Sequence, residues 1–249
     1  MAFLEIPGLP EKQVSLCAVS SRFPSITEAL AGEGIEVLTV PPLPFLPAPV
    51  ASHADLQLMP LGGNCVLAAE EAAEPSKQLR QKGYEVVIND LPLGDRYPQD
   101  ISLNFLVMEK MVFGHQKAMS HTLKNIILEN RWRFLHSRQG YARCSVCLVS
   151  SNSAITSDPT LYGLLTAAGL DVLKLPPGDI LLPGYDTGFI GGCCGLIHPR
   201  RMAFTGSLEY YHCGMAVVRF LERYQIEPVF LRKGKLLDVG GIIPLATVD

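Results

Sequence analysis

One phrase recurs five times along this chain, and a repeat of that kind constrains the fold before any motif does. It reads Gly34-Ile35-Glu36-Val37-Leu38, Gly83-Tyr84-Glu85-Val86-Val87 and Gly169-Leu170-Asp171-Val172-Leu173. Looser copies are Asn130-Arg131-Trp132-Arg133-Phe134 and Gln225-Ile226-Glu227-Pro228-Val229. Gly or Asn suits the left-handed position just past a helix end. The β-branched and aromatic residues that follow suit a strand. Each copy is therefore expected to close a helix and open a strand.

The surrounding pattern supplies the rest of each unit. Helices are expected over 25–31, 75–82, 117–129, 159–168 and 211–224. Ser25 with Glu28 fits a capping box, and Pro75 and Pro159 fit the first helical position. Asp158, just ahead of Pro159, reads as a helix cap. A short apolar strand precedes each helix, over 16–19, 65–68, 111–113, 154–156 and 202–205. Four units carry one more strand in front, over 56–59, 101–107, 143–149 and 190–197. The first unit lacks it, while the last segment, 236–246, is a strand with no unit of its own. Placing that tail in the first unit gives five ββαβ units: 14–40 with 236–246, 53–90, 100–136, 141–175 and 188–231. The expectation is a single domain over 1–249, an α/β propeller with five blades and pseudo-fivefold symmetry, closed by the C-terminal strand. The plainer alternative is an ordinary α/β domain with coincidental spacing.

Composition narrows the function classes. The 249 residues carry 21 Lys+Arg against 24 Asp+Glu, a formal charge of −3, which argues against a general nucleic-acid binder. Hydrophobic content of 48% with 18% charged residues argues against disorder. No stretch approaches the roughly 18 to 20 apolar residues needed to span a bilayer. The apolar stretch 41–50 carries Pro41, Pro42, Pro44, Pro47 and Pro49. The start, MAFLEIPGLPEK, has neither a basic region nor a long apolar one, so no signal peptide is expected. Seven cysteines, an odd number, then read as reduced cytoplasmic thiols, many of them buried.

Five phrases carry a resemblance to a known fold. They are Ser52-His53-Ala54-Asp55, the run from Tyr97 to Asn104, the run from Gln139 to Ser145, Ile155-Thr156-Ser157-Asp158, and the glycine-rich run from Gly188 to Ile197. The chain resembles the pentein, or guanidino-group modifying, superfamily, which contains arginine and agmatine deiminases, amidinotransferases, dimethylarginine dimethylaminohydrolase and a non-enzymatic ribosome anti-association factor. It looks most like an uncharacterised, DUF6873-like bacterial branch. The resemblance implies a site on the central axis, where the first strand of each unit lies.

His53 and Asp55 are two residues apart and would share one face if extended. The pair resembles the His-x-Asp of the family's enzymes, in which the His serves as acid and base and carboxylates bind the guanidinium. In those enzymes the pair comes from a later unit, where this chain has Ala142-Arg143. A His-x-Asp in a turn outside any site is the bland alternative. Asp100, Ser102 and Asn104 follow the same two-residue rule and could cradle a cationic or amide-bearing ligand, or simply line a solvated axis. Further candidates for ligand contacts are Gln139, Tyr141, Gly191, Gly192 and Asp238.

The nucleophile is where the resemblance breaks. The family's enzymes place a Cys near the C-terminus after a Gly-Gly pair. The matching phrase here is Gly240-Gly241-Ile242-Ile243-Pro244, and proline carries no nucleophile. Cys144, then Cys193 and Cys194, are the substitutes, with a buried structural role for Cys144 as the alternative. Arg143 lies beside Cys144, but on a strand the two would face opposite ways. The same rule separates Cys144 from Cys147, which argues against a redox or chelating pair. Cys193, Cys194, His198, His212 and Cys213 lack regular zinc-ligand spacing. Glycines 188, 191, 192 and 195 are expected to permit close backbone approach rather than to bind a dinucleotide. Trp132 is expected in the core.

No cofactor and no metal are therefore expected. The first expectation is a pentein-fold protein without standard deiminase chemistry that binds a small cationic guanidino or amidino compound. The alternatives are a guanidino-group hydrolase or amidinotransferase using His53, Asp55 and Cys144, and a non-enzymatic binder of a macromolecule. Convergence of His53, Asp100 and Cys144 in one closed pocket would favour the enzyme.

Overall fold

A computed structural model describes residues 1–249. The first unit holds β1 (Ala2–Phe3), β2 (Val14–Ser20), helix α1 (Pro24–Gly32) and β3 (Glu36–Val40). The second holds the one-turn helix α2 (Ala54–Gln57), β4 (Leu58–Gly62), β5 (Cys65–Ala68), α3 (Ala73–Gln81) and β6 (Glu85–Ile88). The third runs through a 3-10 turn (Gln99–Ile101), β7 (Leu106–Met108), β8 (Met111–Gly114), α4 (His121–Glu129) and β9 (Arg133–His136). The fourth has α5 (Ala142–Ser145), β10 (Val146–Ser150), β11 (Ser153–Thr156), α6 (Pro159–Ala167) and β12 (Asp171–Lys174). The fifth has a 3-10 turn (Ile190–Cys193), β13 (Cys194–His198), β14 (Arg201–Phe204), α7 (Gly214–Arg223) and β15 (Glu227–Phe230). Strand β16 (Ile243–Thr247) ends the chain.

These strands form five small sheets. In each of four, the first two strands pair antiparallel and the third joins parallel after the helix. The remaining sheet has the order β1-β16-β2-β3. The tail therefore supplies the first unit's missing front strand, with Ile243 opposite Ala18 and Pro244 opposite Cys17. The short β1 covers its outer edge, with Phe3 opposite Ala246, a pairing the repeat pattern did not indicate.

The repeat phrase marks one backbone conformation. Gly34, Gly83, Arg131, Gly169 and Gln225 all have positive φ, and in every unit the parallel strand starts two residues later. Asn130 was expected in that position. It is instead the α4 cap with φ −83, and Arg131 takes the left-handed conformation. Helix starts follow local chemistry. Asp158 accepts the amide of Leu161 at 2.8 Å and Ser120 that of Leu123 at 2.9 Å, each filling an orphan donor of the first turn. Ser25 makes no such bond, because α1 begins one residue earlier with Pro24 at its first position. Pro75 is the third residue of α3 rather than the first. Helix α4 starts at His121 rather than 117, and α7 spans Gly214–Arg223.

The main correction concerns the front strands. Residues 54–57, 99–101, 142–145 and 190–193 are single helical turns, and the strands begin only after them. The expectation of His53/Asp55, of Asp100/Ser102/Asn104 and of Cys144 on extended backbone therefore fails. Eight buried polar residues lie on or beside these turns: Ser52, His53, Asp55, Gln57, Asp100, Ser102, Asn104 and Ser145. The strands behind them are nearly wholly apolar and supply the core.

Candidate functional site

Side chains from the turns at 54–57 and 142–145 meet in one cluster. His53 caps α2 with extended backbone, and Asp55 is the second residue of the helix. Cys144 lies in α5, and Asp238 lies in the segment ahead of β16. One ligand atom each from His53, Asp55 and Cys144 lie within 4.8 Å of one another. Cys144 Sγ donates to Asp55 Oδ2 at 2.5 Å. His53 Nδ1 faces Asp238 Oδ1 at 3.9 Å. Asp238 is held by backbone amides, Oδ2 by Phe189 at 2.8 Å and Oδ1 by Gly240 at 3.0 Å.

Asn104 ties two of these turns together. Its Oδ1 accepts the amides of Arg143 at 3.0 Å and Cys144 at 3.2 Å. Its Nδ2 donates to the Asp55 carbonyl at 3.3 Å and lies 3.5 Å from Cys144 Sγ. Asp100 is reached through Tyr141, whose hydroxyl donates to Oδ2. Tyr141 is set in turn by Gln139, whose Oε1 accepts the Tyr141 amide at 3.1 Å while its Nε2 donates to Asp158 at 3.1 Å. Gly191 and Gly192 make room. A Cβ on Gly191 would overlap the carbonyls of Arg143, Cys144 and Val146, and one on Gly192 would overlap the Asp238 carboxylate.

A cavity of about 140 Å³ opens onto this cluster. His53, Cys144, Asp238 and Tyr141 line it, together with Val50, Leu56, Leu182, Tyr185, Thr187 and Phe189. Asp55, Asp100, Asn104, Gln139, Gly191 and Gly192 do not line it; Asp55 and Asp100 are reached through Cys144 and Tyr141. The wall residues Leu182, Tyr185 and Thr187 were not singled out from the sequence. They come from the loop between β12 and the turn at 190, which is pinned to the tail by the amides of Leu181 and Asp238, at 2.9 and 2.8 Å. Composition offered no signal for them, because the loop becomes a wall only when the tail lies beside it.

Electrostatics make the cluster costly when charged. Burial raises the Asp55 carboxyl, with His53 opposing. Burial also raises Asp100, with the Tyr141 hydrogen bond opposing. Burial, then the charges of Asp55 and Asp238, push the Cys144 thiol well up. At rest the Cys144 thiol is hydrogen-bonded to the Asp55 carboxyl group. His53 Nε2, Asp55 Oδ1 and Asp100 Oδ1 are buried without partners, which is a standing cost unless a ligand meets them. His53, Asp55 and Cys144 could also hold a divalent metal, a combination of donors the sequence spacing did not suggest. The zinc candidates weighed from sequence do not gather. Cys193 and Cys194 bond to the carbonyls of Phe189 and Ile190, and His212 pairs with Asp179. Cys147 packs on Met202, away from Cys144. Pro244 lines a separate small cavity with Arg143 and Cys147.

The family described as "Family of unknown function (DUF6873)" matches residues 18–243. The chain belongs to that family. No curated protein matches the sequence. Among solved structures, the inosamine-phosphate amidinotransferase of Streptomyces griseus is similar at TM-score 0.59 and 10% identity, covering 100% of this chain and 98% of that one. A saxitoxin-pathway amidinotransferase from Microseira wollei is similar at TM-score 0.54 and 12% identity, covering 95% and 96%. The agmatine deiminase of C. jejuni is similar at TM-score 0.55 and 10% identity, covering 91% and 90%. The fold of this DUF6873 chain is therefore that of the pentein superfamily. No helix is long and apolar enough to cross a membrane.

Proposed function

We propose that this DUF6873 chain is a guanidino- or amidino-group hydrolase or transferase that uses Cys144 as its nucleophile and His53 as acid and base. The observation that carries the reading is the approach of His53, Asp55 and Cys144 to within 4.8 Å beside a cavity that His53, Cys144 and Asp238 line. In this reading the five sheets stand as blades around one axis, closed by β16 within a single domain, and the four helical turns point at the hub. Seven unpaired cysteines fit a reducing compartment such as the cytoplasm.

The chemistry follows from the groups present. A planar cation entering the cavity meets the Asp238 carboxylate that lines it, and the buried carboxyls of Asp55 and Asp100 behind Cys144 and Tyr141 favour its charge. Its positive charge also lowers the Cys144 thiol toward ionisation. The thiol proton passes to His53, Sγ bonds to the guanidino carbon, and a C–N bond breaks as His53 protonates the departing amine. Water then adds to the same carbon with its proton going to His53. The C–S bond breaks, and the sulfur recovers that proton. An amine in place of water makes the same sequence an amidino transfer. Pro244 rules out a nucleophile on β16, so the reading stands or falls with Cys144.

Haloacetamidine, a cation, is expected to alkylate Cys144 faster than neutral haloacetamide, read by intact mass, with Cys144→Ser unlabelled. Guanidino compounds, agmatine included, are expected to yield ureido products or free amine. No adduct at Cys144 and no product from any of them at high enzyme concentration would overturn the proposal.

A second reading rests on the same three donors. A divalent ion such as zinc could take His53, Asp55 and Cys144 and keep an open position for water. Metal analysis of protein prepared without chelators separates the two, since this reading requires about one equivalent lost in Cys144→Ser.

A further inference from the structure

Resting on the reading that the cavity receives a guanidino or amidino cation, we infer that the substrate carries no carboxylate and has an apolar tail. One side of the cavity is acidic: Asp238 lines it, and the buried carboxyls of Asp55 and Asp100, each with an unpartnered Oδ1, lie behind Cys144 and Tyr141. Its walls offer the opposite. Val50, Leu56, Leu182, Tyr141, Tyr185 and Phe189 supply aliphatic and aromatic surface, and no Lys or Arg lines the cavity. The wall hydroxyl of Thr187 is already committed to the carbonyls of Ile180 and Gly188, at 3.3 and 3.2 Å.

The two arginines nearby are turned elsewhere. Arg143 reaches the Gly191 carbonyl at 3.5 Å and lines the small cavities beside Pro244 and Pro7. Arg22 lines a neighbouring cavity, and its guanidinium is bonded to the Ala48 carbonyl. A carboxylate drawn into the aromatic-walled cavity would lose its water and find no cation. It would also face Asp238, with Asp100 behind the Tyr141 hydroxyl, and burying an unpaired charge beside like charges is strongly unfavourable. A hydrocarbon or aromatic tail meets none of these costs. It stacks against Tyr141 and Phe189, whose ring centroids are 5.9 Å apart, and leaves past Tyr185, which is 47% exposed at the mouth. The aromatic faces also favour the cation itself.

Four compounds isolate the two features: butylguanidine, agmatine, arginine and arginine methyl ester. Affinity is read by calorimetry and turnover by product release, on the full chain. Esterifying the carboxylate is expected to improve binding by at least about 100-fold, the effect of removing an unpaired buried charge. Butylguanidine is expected to bind at least as tightly as agmatine. Thr187→Lys, which places a cation on the wall, is expected to narrow the arginine-to-ester gap tenfold or more. Arginine binding within tenfold of its ester, or no binding by any of the four, overturns the inference. Selective binding of butylguanidine without turnover by wild type would leave the inference standing and sink the catalytic reading, so the two fail separately.

Discussion

Asn104 does its work without touching the cavity. Its side chain is fully buried, and both ends are used between the Asp55 turn and the Cys144 turn. Asn104→Ala strips the acceptor from the buried Cys144 amide and leaves the Arg143 amide only its 3.3 Å bond to the residue-104 carbonyl, which should cost about 1–3 kcal/mol. Urea unfolding reads that cost, and Cys144 alkylation kinetics should change with it as the turn loosens. An unaltered midpoint would show that these bonds are dispensable. Asp55 behaves in the opposite sense. Its carboxyl titrates above the ordinary range because of burial, so the fold binds its proton more tightly than the unfolded chain does. That contribution to stability is present below the unfolded value and lost as pH rises through the folded one. Asp55→Asn is therefore expected to be more stable than wild type at pH 7 by about 1 kcal/mol, or 2–4 °C in Tm. The advantage should vanish on acidification to below about pH 4, where the wild-type carboxyl is protonated in both states. The same change removes a charge that raises the Cys144 thiol, so alkylation by neutral iodoacetamide at pH 7.5 should speed up about threefold or more. Guanidino binding should fall at the same time. A chain that keeps destabilising carboxylates in its interior is expected to use them. At this scale residue type singled out His53, Asp55, Asp100, Cys144 and Asp238, but it did not separate the residues that line the cavity from those behind them, Asp55, Asp100, Asn104 and Gln139. That division depends on which atom of each side chain faces the cavity.

At the scale of elements, the single turns before the front strands decide the geometry. A turn rotates successive side chains by about 100°, where a strand alternates them. His53 and Asp55 can thus reach one cluster from different directions, and Cys144 can face it while Arg143 leaves toward Gly191. These turns were missed because they are one turn long and lead straight into apolar strands, so no helical period builds up. The helix ends were far more legible, since the left-handed position recurs before every parallel strand. Two of the five such positions are not glycine: Arg131 has φ 54 and Gln225 φ 57. Arg131→Gly and Gln225→Gly should each stabilise the chain by about 0.5–1 kcal/mol, the left-handed penalty less the entropy glycine adds to the unfolded state. Thermal melts check this, and a loss of stability in both would count against the shared role. Gly240 carries the reverse case. Its φ is +78, and a Cβ there would lie 2.5 Å from His53 Cβ. Gly240→Ala is expected to lower Tm and to displace His53, seen as weaker cation binding.

For the molecule as a whole, the decisive pairing is between the two ends of the chain. Strand β16 lies between β1 and β2, and the amino terminus meets the Asp249 carboxylate at 2.5 Å. Joining the ends with a short linker and reopening the chain at the exposed Glu109-Lys110 turn should therefore give a folded protein with the same Cys144 labelling. Deleting residues 243–249 should instead unfold the whole chain, since it exposes β2 and removes the strand that anchors the tail carrying Asp238. Circular dichroism on both variants checks the pair. A stable, labelled deletion would show that β16 is an accessory.

The sequence alone determined the repeat, the order of strands and helices within it, the return of the tail to the first unit and the pentein resemblance. Those features follow from local chemistry that is written residue by residue: a left-handed position after each helix, an apolar run for each strand. Tertiary structure alone decided what shares a cavity. His53, Cys144, Asp238 and Tyr185 lie in four separate stretches of chain, and no local preference encodes the distance between them. Only the packing of sheets, turns and the 175–189 loop against the returning tail sets the cluster and clothes it in aromatic rather than cationic walls.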